Sequence, residues 1–121
     1  MSKQIVIADD SKRIREVLAF SLMNAGYEVC VARDGMDALT YFDGRSIDLL
    51  LTDYHMPNMN GLELINKVRE LELYKYIPVL VLTTENQSHI IKEARNSGAT
   101  GWLLKPFNVE NLIHTIRKVI R

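Results

Sequence analysis

With 121 residues, 47% of them apolar and 25% charged, the chain has the size and composition of one globular domain, spanning 1–121, with a core of its own. Fifteen basic residues balance fifteen acidic ones, so no global charge points to a nucleic acid or an acidic membrane surface as partner. The lone Cys30 excludes an internal disulfide and suits a reducing cytosol, and no apolar run nears the roughly 18 residues of a membrane span. Lys3 and Gln4 precede only a short apolar run, which is not a signal peptide, so a cytoplasmic protein is expected.

Taken in order, Ile5-Val6-Ile7-Ala8 reads as a short buried strand ending in Asp9-Asp10. Ser11 caps a helix whose apolar face is Ile14, Val17, Leu18, Ser21 and Leu22, and Gly26 closes it in the left-handed region. Tyr27 to Ala32 is a second strand, with Cys30 as core filler, and Asp34-Gly35 turns into a helix carrying Ala38, Leu39 and Phe42. Ile47, Leu49, Leu50 and Leu51 form the apolar run of a strand covered on both faces, which stops at Asp53. Met56-Pro57, Asn58, Asn60 and Gly61 then bring turn chemistry before a helix to about Leu71. Pro78 opens a fourth strand, Val79 to Leu82, ending in Thr83-Thr84-Glu85. A helix with Ile90, Ile91 and Ala94 inside runs to Gly98. The fifth strand, Gly101 to Leu104, ends in Lys105-Pro106, and Asn108 caps a last helix with Leu112, Ile113, Ile116, Val119 and Ile120 on its face.

Five strands alternating with five helices require right-handed crossovers and a parallel sheet with helices on both faces, an α/β fold. Alternation leaves the strand order open. In the order 2-1-3-4-5 the ends of strands 1 and 3 lie side by side at the switch point, where open α/β sheets bind ligands. Asp9, Asp10 and Asp53 then converge, with Thr83 and Lys105 beside them. Asp10 alone could be a helix cap and Lys105 alone a solvated lysine; the set of five is harder to explain that way.

Three crowded carboxylates repel, which raises a pKa or demands a cation. Oxygen ligands with room for water suit Mg2+ better than Ca2+, and no His or Cys spacing suits zinc. Three carboxylates, Lys105 and one Mg2+ sum to zero charge, leaving an open metal position beside a nucleophile. An Asp can attack phosphorus, with the metal and Lys105 neutralising the phosphoryl oxygens and Thr83 donating a hydrogen bond. The chemistry is that of a phosphoryl acceptor. A cis bond at Lys105-Pro106 would aim the lysine back across the site.

Asp9-Asp10, Asp53, Thr83 and Lys105-Pro106-Phe107 resemble the receiver domain of two-component response regulators, over the whole chain. The segments IADDS, MPNMNG, LTTE and GATGWLLKPFN are most similar to single-domain chemotaxis regulators, for which no output domain is expected. The resemblance implies the flavodoxin-like (CheY-like) order 2-1-3-4-5 and a monomer phosphorylated at Asp53 by a histidine kinase. It further implies Mg2+ ligated by Asp10 and Asp53, with Asp9 acting through water and His55 through its backbone carbonyl. Implied partners are a phosphorylation-dependent target such as a flagellar motor switch protein, and a phosphatase.

Departures from the pattern are Asn60 where an Asp is common, and Thr84 where a smaller residue is common. His55 and Glu85 occupy variable positions bordering the path of attacking water, and the His55 side chain is expected to line the rim. Trp102 holds the position of an aromatic that exchanges between exposed and buried rotamers as the threonine moves, though lone edge-strand aromatics are usually packing. Lys92, Arg95, Arg117 and Arg121 would give the helix 4–strand 5–helix 5 face around it a basic tint, though a solvated helix surface explains those charges equally well. The competing readings are a relay or phosphate-sink receiver, a docking module without phosphate turnover, and an aspartate-based phosphatase of the haloacid dehalogenase type. Such phosphatases place a second Asp two residues after the nucleophile, where this chain has His55.

Overall fold

The structure, a computed structural model, describes residues 2–84 and 88–120. Strands β1 (Gln4–Ala8), β2 (Glu28–Ala32), β3 (Leu49–Asp53), β4 (Val79–Thr83) and β5 (Gly101–Leu104) form one sheet in the order β2-β1-β3-β4-β5. Every neighbouring pair is parallel. Helices α1 (Lys12–Asn24), α2 (Gly35–Leu39), α3 (Gly61–Glu70) and α4 (Ser88–Asn96) make the four crossovers, and α5 (Val109–Val119) follows β5.

Side chains alternate across a strand, so each central strand serves two cores. Ile5, Ile7, Leu49, Leu51, Leu80 and Leu82 face Leu18 and Leu22 of α1 and Leu112 and Ile116 of α5. On the opposite face Val6, Leu50, Val79 and Val81 meet Ala38 of α2 and Leu64, Ile65 and Val68 of α3. The unbroken apolar run of β3 is therefore divided between the two layers, and the sheet ends where it gives way to polar residues.

Caps set the helix ends close to the acids. The Ser11 hydroxyl accepts from Ile14 N at 3.3 Å, starting α1 immediately after Asp10. Past its other end Gly26 takes φ 96°, a left-handed course that costs a residue with Cβ about 1–2 kcal/mol. Asn60 accepts from Glu63 N while Glu63 accepts from Asn60 N, a reciprocal capping box that starts α3. Asn60, which reads in the sequence as turn chemistry, is thus a helix cap. Asn108 caps α5 as its sequence suggests.

Two local expectations need correction, and one further element comes to light. Val17 is 41% exposed: Ile14, Leu18 and Leu22, spaced by four, form the seam of α1, and Val17 falls outside it. Helix α2 stops at Leu39, so Phe42 is not helical, although it is buried and packs edge-to-face on Tyr74 with ring centres 4.9 Å apart. Between α3 and β4 lies a 3-10 turn, Glu72–Tyr74, that apolar periodicity did not reveal. Burying Tyr74 requires partners for its hydroxyl, which accepts from Gly44 N at 2.7 Å and donates to Arg45 O at 2.8 Å. Cys30 is half-buried against the α2–α3 core, in agreement with a packing role.

Candidate functional site

Asp9 follows the last residue of β1, and its backbone is held on both sides. Its N–H donates to Ala32 O at 3.1 Å, and Arg15 Nη1 donates to its carbonyl at 2.8 Å. The carboxylate is fully buried, with Oδ1 accepting from Ser11 N at 2.9 Å and Oδ2 from Lys105 Nζ at 3.0 Å. Asp53 ends β3; its Oδ1 accepts from Tyr54 N at 2.8 Å and its Oδ2 lies 3.2 Å from Lys105 Nζ. Asp10 is exposed. A carboxylate oxygen from each of the three acids lies within 4.8 Å of the other two. The strand order alone brings them there, since β1 and β3 are neighbours.

Lys105 arrives from the far edge. Its N–H donates to Thr83 O at 2.8 Å, continuing the β4–β5 ladder by one residue, and the Lys105-Pro106 peptide is cis, as the sequence suggests. Burial and the neighbouring Asp9 charge push the Asp53 carboxyl up, more than Lys105 and the Tyr54 amide pull it down. Burial pulls the Lys105 ammonium down, but its hydrogen bond to Asp9 and the charges of Asp53 and Asp9 outweigh this, and it titrates above its ordinary value. One lysine is thus shared between two carboxylates, and Asp53 remains the undercompensated partner.

The donor set is entirely oxygen, clustered tightly, and carries one more negative charge than Lys105 and a single monovalent ion could cancel. A hard dication fits it. Both Asp9 oxygens hold hydrogen bonds, and those of Asp53 face Tyr54 N and Lys105, which leaves the exposed Asp10 as the acid most open to a cation and Asp53 as one that shares its charge with Lys105.

Thr83 ends β4 and is buried at the same edge of the sheet. Trp102 lies opposite Val81 in the β4–β5 register, hence on the sheet face that Thr83 also shares, two residues further along β4. The indole is half-buried against the α2–α3 core, and the Arg95 guanidinium covers it 4.7 Å from the ring centre. Sequence grouped Arg95 with the surrounding positive charges, but a stacking partner is visible only once α4 is placed. Lys92 and Arg117 are exposed, whereas Arg121 and Glu85 lie outside the described residues. The His55 side chain is exposed and meets Tyr54 edge-to-face at 4.6 Å, and Thr84 is exposed as well.

Residues that support the site were less visible in the sequence. Asn58 holds a left-handed φ of 69° and donates to Asp34 at 3.0 Å, a partner 24 positions away. Next to Lys105 an apolar hollow of about 390 Å³ is lined by Ile14, Val17, Pro106, Phe107 and Val109, which accounts for the exposure of Val17. A hollow of about 490 Å³ lies among Lys3, Asp48, Tyr76 and Ile120, near the opposite strand ends and away from the acids.

Residues 5–117 match the response regulator receiver domain. The chain is 35% identical to the chemotaxis protein CheY of Pseudomonas aeruginosa, over 96% of this chain and 94% of that protein. It is 34% identical to the CAI-1 autoinducer sensor kinase/phosphatase CqsS of Vibrio cholerae, over 94% of this chain but 17% of that protein. Among solved structures, chemotaxis protein CheY4 of Vibrio cholerae superposes with a TM-score of 0.95 at 40% identity, covering 98% of this chain and 99% of that one.

Proposed function

The chain belongs to the response regulator receiver domain family, and on that premise we propose that it is a single-domain phosphorylation switch acting in chemotaxis or flagellar motor control. Receivers of this kind are signalling proteins that accept a phosphoryl group, not turnover enzymes. The finer assignment is Asp53 as acceptor, a histidine kinase as donor, and a motor switch protein as target of the phosphorylated monomer. Its place of action is the cytoplasm. Among the described residues no helix is long and apolar enough to cross a membrane.

The observation that carries this reading is the lysine bridge, with Nζ at 3.0 Å from Asp9 Oδ2 and 3.2 Å from Asp53 Oδ2. An Asp53 oxygen attacks the phosphorus of a phosphohistidine. As the O–P bond forms, the P–N bond breaks, its electron pair leaves with the imidazole, and Asp53 carries an acyl phosphate. Lys105 exchanges its bond to Asp53 for one to a phosphoryl oxygen while keeping Asp9 as anchor, and Thr83 donates to another. Mg2+, held by Asp10, Asp53 and the His55 carbonyl and reached by Asp9 through water, would supply neutralisation of the remaining phosphoryl charge.

Thr83 and Trp102 share a sheet face, so drawing Thr83 toward Asp53 frees space on the side of the indole. Moving an equilibrium from 1:99 to 99:1 takes about 5.5 kcal/mol. Two or three charge-assisted hydrogen bonds to a phosphoryl group are of that order. The apolar hollow beside Lys105 suits a side chain of the docked kinase or of a phosphatase.

Acetyl phosphate with Mg2+, read by intact mass, tests the reading. One phosphoryl group that decays slowly is expected; steady release of phosphate would indicate a phosphatase, and no uptake would indicate a docking module. The match to a small part of CqsS favours a second reading, a receiver that passes or stores phosphate within a relay. Transfer from the phosphorylated chain to a histidine phosphotransfer protein would support that role over motor binding.

A further inference from the structure

The loop between β3 and α3, residues 54–60, contains no helix or strand, so side contacts set its course. At its base Gly61 N donates to Tyr54 O at 2.9 Å. Its tip is held by the turn that opens α2. Asn58 Nδ2 donates to Asp34 Oδ2 at 3.0 Å, and the other Asp34 oxygen accepts from Asp37 N at 2.8 Å as the cap of α2. A buried carboxylate therefore spends one oxygen on a helix and the other on a loop. The next residue, Gly35, leaves no space: a Cβ there would stand 2.6 Å from Met59 O and 2.9 Å from Met59 Cβ. Met59 N donates to Pro57 O at 2.7 Å, closing a tight turn around Asn58. Among the described residues Asn58 is the one non-glycine residue at positive φ, which an unsupported side chain rarely keeps. The hydrogen bonds from Asp37 and Asn58 hold the Asp34 carboxyl below its ordinary range, so the tie is charge-assisted at neutral pH.

We infer that Asp34 and Asn58 are positioning residues for the cation site: their hydrogen bond holds the β3–α3 loop in the course that presents the His55 carbonyl to Mg2+ held by Asp10 and Asp53. This rests on the Mg2+ reading given above. Without the tie the loop still folds back to Gly61 but samples other courses. The cation must then select the competent one, and its apparent affinity falls by the fraction of time the loop spends there. Groups that orient metal ligands from behind are commonly worth about 10- to 100-fold in affinity. Asn58 is exposed, which places this tie at the low end.

Calorimetric titration of Mg2+ into the full chain tests this with two variants. Asn58→Gly keeps the left-handed backbone accessible and deletes the amide; the double variant Asp34→Asn/Asn58→Asp reverses donor and acceptor at unchanged net charge and keeps an α2 cap. Asn58→Gly is expected to bind Mg2+ about tenfold more weakly, and the reversed pair to return to within about threefold of the parent. Melting in EDTA is the control: a purely structural role would lower the metal-free transition and leave the affinity alone. Parental affinity in Asn58→Gly, or equal weakness in both variants, overturns the inference while the Mg2+ reading stands. Absence of Mg2+ binding by the parent chain overturns both.

Discussion

Adding one methyl group at Gly61 tests how rigidly the acceptor strand is tied to the helix that follows it. A Cβ at this position would collide with the Asp53 carbonyl oxygen and stand 3.1 Å from Tyr54 Cα and 3.3 Å from Asp53 C. All three obstacles are backbone, and Tyr54 N is itself bonded to Leu82 O at 3.0 Å, so no side chain can swing aside. Restoring ordinary contact distances means opening the β3–α3 junction by on the order of 1 Å. Overpacking of this kind costs roughly 1–3 kcal/mol, and the rigid surroundings place Gly61→Ala near about 3. For a domain of this size that lowers Tm by roughly 10 °C. A misplacement of about 1 Å at a reacting group is worth about 100-fold in rate, so phosphorylation by acetyl phosphate should slow by up to that factor. Gly26→Ala is the control: a Cβ there meets nothing within 4 Å, and only the φ of 96° opposes it. It should lose about 1–2 kcal/mol and keep the parental rate. Thermal melts and phosphorylation time courses of both variants decide the matter. A Gly61→Ala protein with parental Tm and rate would refute the packing argument.

Asp53→Asn should raise stability, with a definite pH dependence. Burial and Asp9 raise the folded pKa above its ordinary value of 3.8, so the Asp53 contribution is present below that value and lost as pH rises through the folded one. The gain on substitution should therefore be small in acid, grow upward through that window and level off, as denaturant midpoints at several pH values will show; a gain largest in acid contradicts the assigned cause. Asp10→Ala should weaken thermal stabilisation by Mg2+ more than Asp9→Ala does, because Ser11 and Lys105 already occupy the Asp9 oxygens. Equal shifts in both variants would count against the ligand roles. With beryllofluoride and Mg2+, Trp102 emission should move to the blue and resist acrylamide quenching, and Thr83→Ala should blunt the response. An unchanged spectrum would leave Trp102 as packing under Arg95.

What the sequence made legible was where apolar runs stop. β3 and β4 end in Asp53 and Thr83, β1 and β5 stop one residue before Asp9 and Lys105, and a parallel sheet puts all those ends on one edge, where the polar groups are buried against one another. Periodicity is blind to angular detail, so it places Val17 on the apolar face of α1 although the residue is exposed. It also places Phe42 on the helix, whereas Phe42 is buried beyond the end of α2, where Tyr74 receives its ring. The Asp34–Asn58 bond and the Arg95–Trp102 stack join separate elements, and neither has a local signature beyond a turn-forming Asn and a surface Arg.

Mapping the modified residue tests the central claim most directly. After incubation with acetyl phosphate and Mg2+, borohydride reduction converts an aspartyl phosphate to homoserine, and peptide mass spectrometry locates it. The account predicts homoserine at position 53 alone, and none at position 9 or 10. Reduction at either of those acids, or an unmodified Asp53 in protein that has taken up phosphate, would contradict it.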